Sequence, residues 1–71
     1  MSNAIDPSAL FQYIDTAPRD GRKIVVRDVE ECIGPYVMYW DRIMKVWRDP
    51  ENVMIWSETN DGGPKEWCSI N

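Results

Sequence analysis

Apolar positions in this chain gather into short runs, each closed by a turn signal. Residues 23–27 (K-I-V-V-R) form a β-branched run bounded by charges and predict a first strand. Residues 36–41 (Y-V-M-Y-W-D) are apolar on both faces and predict a second, centrally placed strand. The pattern over residues 43–47 alternates less cleanly and predicts a third, with Asp41 and Arg42 as a tight turn ahead of it. Residues 53–56 predict a fourth strand, and residues 66–68 a short last one that closes the sheet. Between these runs lie a Pro18–Asp20–Gly21 turn, a connection over residues 29–34 ended by the breaker Gly34-Pro35, a turn at residues 49–52 and a loop at residues 60–64. Regularly spaced turns of this kind belong to an antiparallel meander or a small barrel.

Only the amino-terminal part reads differently. Asp6 can cap a helix, Pro7 suits its first position, and Leu10, Tyr13 and Ile14 share one face before Ala17-Pro18 turns the chain extended. The expected fold is therefore β-rich, α+β at most. It is a small antiparallel sheet or partly open barrel of four or five strands with one short N-terminal helix. Residues 1–10 are expected as a partly flexible segment and residues 11–71 as a single domain.

Composition changes the picture in one respect. A chain of 71 residues buries only about 60% of its unfolded surface, so each large apolar side chain counts. Four tryptophans, Trp40, Trp47, Trp56 and Trp67, can each hide roughly 150–250 Å² and anchor a core that short aliphatics could not. Across the sheet, Trp40 and Trp67 are expected to pack as core pairs. Any aromatic the core leaves uncovered becomes an interface anchor.

Candidate chemistry is sparse. The chain has no histidine, so acid–base work would fall to a carboxylate, a thiol or a lysine. Asp41 beside Trp40 is the carboxyl most open to an upward pKa shift, set against the plainer reading that it caps turn amides. Cys32 lies between Glu31 and Ile33, where acidic surroundings disfavour a thiolate. With Cys68 it falls short of a zinc ligand set, and both are expected as reduced, partly buried thiols. Gly62-Gly63-Pro64 lacks the Gly-Lys-Ser/Thr pattern of a phosphate loop. Neither enzyme activity nor a cofactor is expected. The opening M-S-N-A-I-D-P has no basic region followed by an apolar run, and no stretch reaches the ~20 apolar residues of a membrane helix, so a cytoplasmic protein without membrane contact is expected.

Charge carries slightly more. Eight basic against 12 acidic residues leave a net charge of −4, which disfavours direct nucleic-acid binding and suits docking on a basic groove of another protein. Acids cluster at Asp28, Glu30 and Glu31, at Asp49 and Glu51, and at Glu58 and Asp61. With Trp47 as their aromatic, these are the candidate partner-binding residues. Arg19, Arg22, Lys23 and Arg27 form a basic stripe around the first turn.

Ile14, Thr16, Ala17, Pro18, Asp20, Gly21 and Ile24, then Tyr39-Trp40-Asp41 with Trp47, and finally Pro64 and Trp67 also follow a wider pattern. In these positions the chain resembles a group of small phage- and prophage-associated proteins of unknown function. Their pattern is I-x-T-A-P-x-D-G-x-x-I-L-V-W, then a strand ending in W-D, then P-x-x-W-x-P-L. The chain departs from it at Arg27–Asp28, where a tryptophan usually ends the first strand, and at Cys68-Ser69 in place of Met-Pro. The resemblance implies a compact β-rich fold and a phage or mobile-element setting, with no activity attached. Three functions follow as expectations. A protein-binding accessory factor, such as an inhibitor of a host defence protein of the anti-CRISPR kind, requires an exposed aromatic beside acids. An assembly component of a phage particle requires a homo-oligomer. An aromatic-cage peptide reader requires aromatics converging on one pocket.

Overall fold

Alternation in the run I-V-V-R-D places Ile24, Val26 and Asp28 inward and Val25 and Arg27 outward, and this strand organises the molecule. The computed structural model describes residues 10–70. Six strands are formed: β1 (Gln12–Tyr13), β2 (Ile24–Asp28), β3 (Ile33–Asp41), β4 (Val46–Arg48), β5 (Ile55–Trp56) and β6 (Glu66–Ser69). They make one open antiparallel sheet in the order β1-β6-β2-β3-β4-β5. Two short 3-10 turns, Ile14–Thr16 and Thr59–Asp61, complete the described elements. No helix among the described residues is long and apolar enough to cross a membrane.

The β-rich expectation holds, with corrections. The first residues of the expected N-terminal helix lie outside the described residues. Its second half is strand, not helix: Gln12 and Tyr13 pair with Trp67 and Glu66. A two-turn helix is marginal on its own, whereas pairing on β6 satisfies the same backbone groups within a sheet. Next to them, Ile14 N–H donates to the Lys65 carbonyl (3.0 Å). β4 begins only at Val46 because residues 42–45 are the turn, and β5 shrinks to two residues because Asp49 draws Val53 and Met54 into its own turn.

Gly34-Pro35 does not break the chain as expected. β3 starts before it, and the register moves from Val26↔Tyr36 to Asp28↔Ile33, so Gly34 and Pro35 together oppose the single residue Arg27. That two-against-one arrangement is a β-bulge, one of the few places a sheet accepts proline. At Gly21, φ of +91° completes the expected turn, and Asp20 Oδ1 accepts the Arg22 amide (3.2 Å).

One face of the sheet carries the core: Ala17, Ile24, Val26, Met38, Trp47 and Trp67, with Ile14, Trp40, Met54 and Trp56 packed against it. The tryptophan pair is Trp40–Trp47, directly opposed on β3 and β4, with ring centroids 5.1 Å apart at 64°. Trp67 belongs elsewhere, because β6 is separated from β3 by β2. Its indole N–H donates to Thr16 Oγ1 (2.9 Å), which ties the 3-10 turn to the core.

Candidate functional site

β3 changes partner along its length. Residues 33–38 pair with β2, while only Tyr39, Trp40 and Asp41 pair with β4. The chain leaves β4 at Asp49, whose Oδ1 accepts the amides of Val53 (2.7 Å) and Met54 (2.6 Å) while its carbonyl accepts Asn52 N–H (2.9 Å). That turn carries the backbone away before it can cover the first half of β3. The result is an open trough of about 450 Å³ between β3 and the β5 segment, lined by Ile33, Tyr36 and Met38 on one wall and by Val53, Ile55 and Trp56 on the other. Tyr36 and Trp56 meet edge to face across it, centroids 6.5 Å apart at 77°. Val53 and Ile55 are 76% and 58% exposed, which is apolar surface the fold does not use. Glu31 stands two residues before Ile33 and Glu51 two before Val53; both are exposed and have no ion-pair partner among the described residues.

A second, larger concavity of about 580 Å³ lies around Arg19 and Glu58, whose own charges are satisfied within the fold, and is lined also by the exposed Asp15, Glu30 and Asp61. The Arg19 guanidinium sits 4.1 Å over the Trp40 ring and 5.3 Å from Trp47. It donates twice to Glu58 (3.2 and 2.9 Å), and the Trp47 indole N–H donates to Glu58 Oε2 (3.1 Å). Burial alone would raise the Glu58 pKa and is the largest single influence on it. Hydrogen bonds from Arg19 and Trp47, with the charges of Arg19 and Lys65, together outweigh it and hold the carboxyl below its ordinary value. Both Glu58 oxygens are thus occupied inside the fold, and among the described residues no buried side-chain nitrogen or oxygen lacks a partner.

The eight candidate residues separate on this geometry. Trp47 is 0% exposed, and its indole edge is committed to Glu58, so it is a core residue closed to any partner. Asp28, 5% exposed, is the last residue of β2 rather than a loop acid, and it accepts the Glu31 amide (3.3 Å). Asp49 caps its turn and Glu58 holds Arg19. Asp61 is exposed beside the second concavity, where its carbonyl accepts the Lys65 ammonium (2.5 Å), and Glu30 lines the same concavity. Glu31 and Glu51 remain, exposed, unpaired among the described residues and each two residues before a trough-lining residue, Ile33 and Val53. Missing from the sequence reading were Tyr36, Trp56, Ile33, Val53 and Ile55. For Val53, Ile55 and Trp56 the signal was the unbroken apolar run at residues 53–56 directly after a turn, which reads equally well as core.

The basic stripe is neutralised piecewise: Arg19 on Glu58, Arg22 on Asp20 (2.8 Å) and Arg27 on Glu66 (2.9 Å). Asp41 is also corrected. The Met44 amide, the Arg48 guanidinium and the Ile43 amide hold its pKa down, not up, and outweigh what burial would do. Cys32 is exposed in the β2–β3 turn, contrary to expectation, and Cys68 is half-buried; both thiols are free. No group of three or more Cys, Asp or Glu among the described residues is placed to hold a metal ion. Compared with known protein families, curated proteins and solved structures, the chain matches none.

Proposed function

We propose that this protein is a non-enzymatic binding module that captures an apolar, basic-flanked segment of another protein in the trough between β3 and β5. One observation carries the reading: a trough with two aromatic walls that the fold leaves uncovered, with the unpaired Glu31 and Glu51 each two residues before one of its lining residues. Aromatic anchors inside with charge at the rim are the usual anatomy of a protein interface, and the rim charge selects the partner. The absence of histidine and the structural employment of Asp41, Asp49 and Glu58 favour binding over catalysis. A net charge of −4 favours a protein over a nucleic acid. The resemblance to small phage- and prophage-associated proteins supports a partner in the host cytoplasm, which occupation of the trough would block, as an inhibitor of a host defence protein does.

Selection of random displayed peptides on the full chain tests this. Enriched sequences should carry aliphatic or aromatic residues next to Lys or Arg, shift the amide resonances of residues 31–38 and 51–56, and bind less tightly as salt rises. Ile55→Asp, at an exposed position, should abolish that binding while leaving the spectrum of the folded domain intact. Enriched peptides that perturb only the Arg19–Glu58 region, or binding indifferent to Ile55→Asp, would remove the reading.

A further inference from the structure

The β3–β4 turn presents the reverse of the trough. Its four residues read Arg42-Ile43-Met44-Lys45. Ile43 is 91% exposed, more than any other large apolar side chain described, and Met44 beside it is 60% exposed. The turn is held firmly. Asp41 Oδ1 accepts the amides of Ile43 and Met44 (both 3.0 Å), and its Oδ2 accepts Arg48 Nε (2.6 Å). Its carbonyl accepts Lys45 N–H (2.7 Å), with Lys45 in the left-handed region at φ +57°. Nothing in that geometry needs apolar side chains at the tip; polar residues would serve the turn equally well. Arg42 and Lys45 are exposed and have no carboxylate partner among the described residues, whereas Arg19, Arg22, Arg27 and Arg48 all have one. The tip is therefore two aliphatic side chains between two unpaired cations, on a chain whose net charge is negative.

We infer that the tip of one copy, Ile43 and Met44, seats in the trough of a second copy, with Arg42 and Lys45 against Glu31 and Glu51. This rests on the trough reading above: the site that takes a foreign apolar, basic-flanked segment takes, between copies, a tip of the same chemistry. Shape and charge agree at both ends. The trough has room for two aliphatic side chains and its lining is apolar, and the unpaired acids two residues before Ile33 and Val53 are opposite in sign to the tip's cations. A copy cannot fill its own trough. Asp41 lies five positions along the extended strand from Tyr36, a distance of ~17 Å, and the tip lies beyond Asp41, past the end of β3. A plug and a socket on different surfaces give a heterologous, head-to-tail contact, which propagates into a ring or an open chain instead of stopping at a symmetric dimer. Two plug side chains make a small interface, in the weak class below about 1,200 Å² of total buried surface, so assembly grows with concentration.

Sedimentation velocity on the full chain, from low-micromolar to near-millimolar protein, tests this with two variants at exposed positions. The wild-type weight-average mass should rise steadily with concentration. Ile43→Asp spoils the plug and Ile55→Asp the socket, and each alone should stay at the monomer mass. Mixed in equal amounts, they should form a heterodimer at twice that mass, because one intact plug and one intact socket remain. A wild-type protein monomeric throughout, a symmetric dimer indifferent to Ile43→Asp, or a mixture that stays monomeric each overturns the inference. Ile43→Asp also keeps the two ideas separable, since its trough is intact. If selected peptides bind its trough while the wild type stays monomeric, the assembly is wrong and the trough reading stands. If they do not bind it and nothing assembles, both fall.

Discussion

Trp47 and Trp56 are direct cross-strand partners on the same face of the sheet, yet they end in opposite circumstances. Trp47 packs on Trp40, lies beside the Arg19 guanidinium, and has its N–H held by Glu58. Trp56 meets Tyr36 with no such lid and faces an open trough. The difference does not come from the rings themselves. It comes from which distant segments reach them: Arg19, from the first turn, and Glu58, from the loop before β6, close one aromatic pair, and nothing reaches the other. Of these two cross-strand partners, the one lidded by charged side chains from elsewhere is structural and the one left without a lid is available.

Truncating the two rings breaks that comparison most directly. Trp47→Ala removes a fully buried indole and strands Glu58 without one of its donors, which costs about 3–5 kcal/mol. A core of this size rarely supplies more than about 3–5 kcal/mol in total, so the variant should be unfolded at room temperature by circular dichroism. Trp56→Ala removes a half-buried ring and should cost about 1–2 kcal/mol, leaving a cooperative urea transition at lower denaturant. Equal losses at the two sites would show that the trough is part of the core.

Acid sharpens the same contrast. The folded-state pKa of Glu58 lies below its ordinary 4.5, so its contribution to stability is fully present above that value and is lost as pH falls through the folded-state value. Glu58→Gln keeps an acceptor for Trp47 but gives up the charge that Arg19 faces over the rings, a loss of about 1–3 kcal/mol at neutral pH. The variant should therefore converge on the wild type as pH is lowered below 4.5, measured as urea midpoints at a series of pH values. Asp41 and Asp49 are also held low but are unchanged in the variant, so the difference between the two curves belongs to Glu58. A difference constant with pH would mean that the Arg19–Glu58 pair is not an ion pair in solution.

How much of this was legible in the sequence follows the range of the forces involved. Local chemistry read well: the Asp20–Gly21 turn, the β-branched run of β2 and the Asp49 turn are written in adjacent residues. Gly34-Pro35 misled because a breaker becomes a bulge only when a partner strand is present to oppose it, and Arg27 is far from view in a local window. Trp47 misled for the same reason. Nothing near it in sequence announces that Arg19 will stack beside it, and Glu58 is eleven residues away. Of the acidic candidates, Glu31 and Glu51 are exposed, unpaired and next in sequence to the trough segments, but only the folded chain tells them apart from Asp28, Asp49 and Glu58, which turns and ion pairs consume. Charge counts find carboxylates; they do not say which are already spoken for.

The smallest expected effect lies at the tip, where stability and assembly should part company. Lys45 holds φ +57° with a side chain that gains nothing the fold can use. Glycine there relieves strain of about 1–2 kcal/mol, offset by about 0.4–1 kcal/mol of extra freedom in the unfolded chain. Lys45→Gly should thus be neutral to about 1 kcal/mol more stable, with a thermal midpoint raised by a few degrees at most. At Gly63 the same sign of φ, +84°, has the opposite meaning, since an added Cβ would lie 2.7 Å from Glu58 Cγ and push on the closed network. If the tip exists to be docked, Lys45→Gly should weaken self-association in sedimentation while the fold gains or holds its ground. A variant that lost both together would place Lys45 among the residues that hold the hairpin, and the contrast between a closed region and an available one would have to be redrawn on the other side of Asp41.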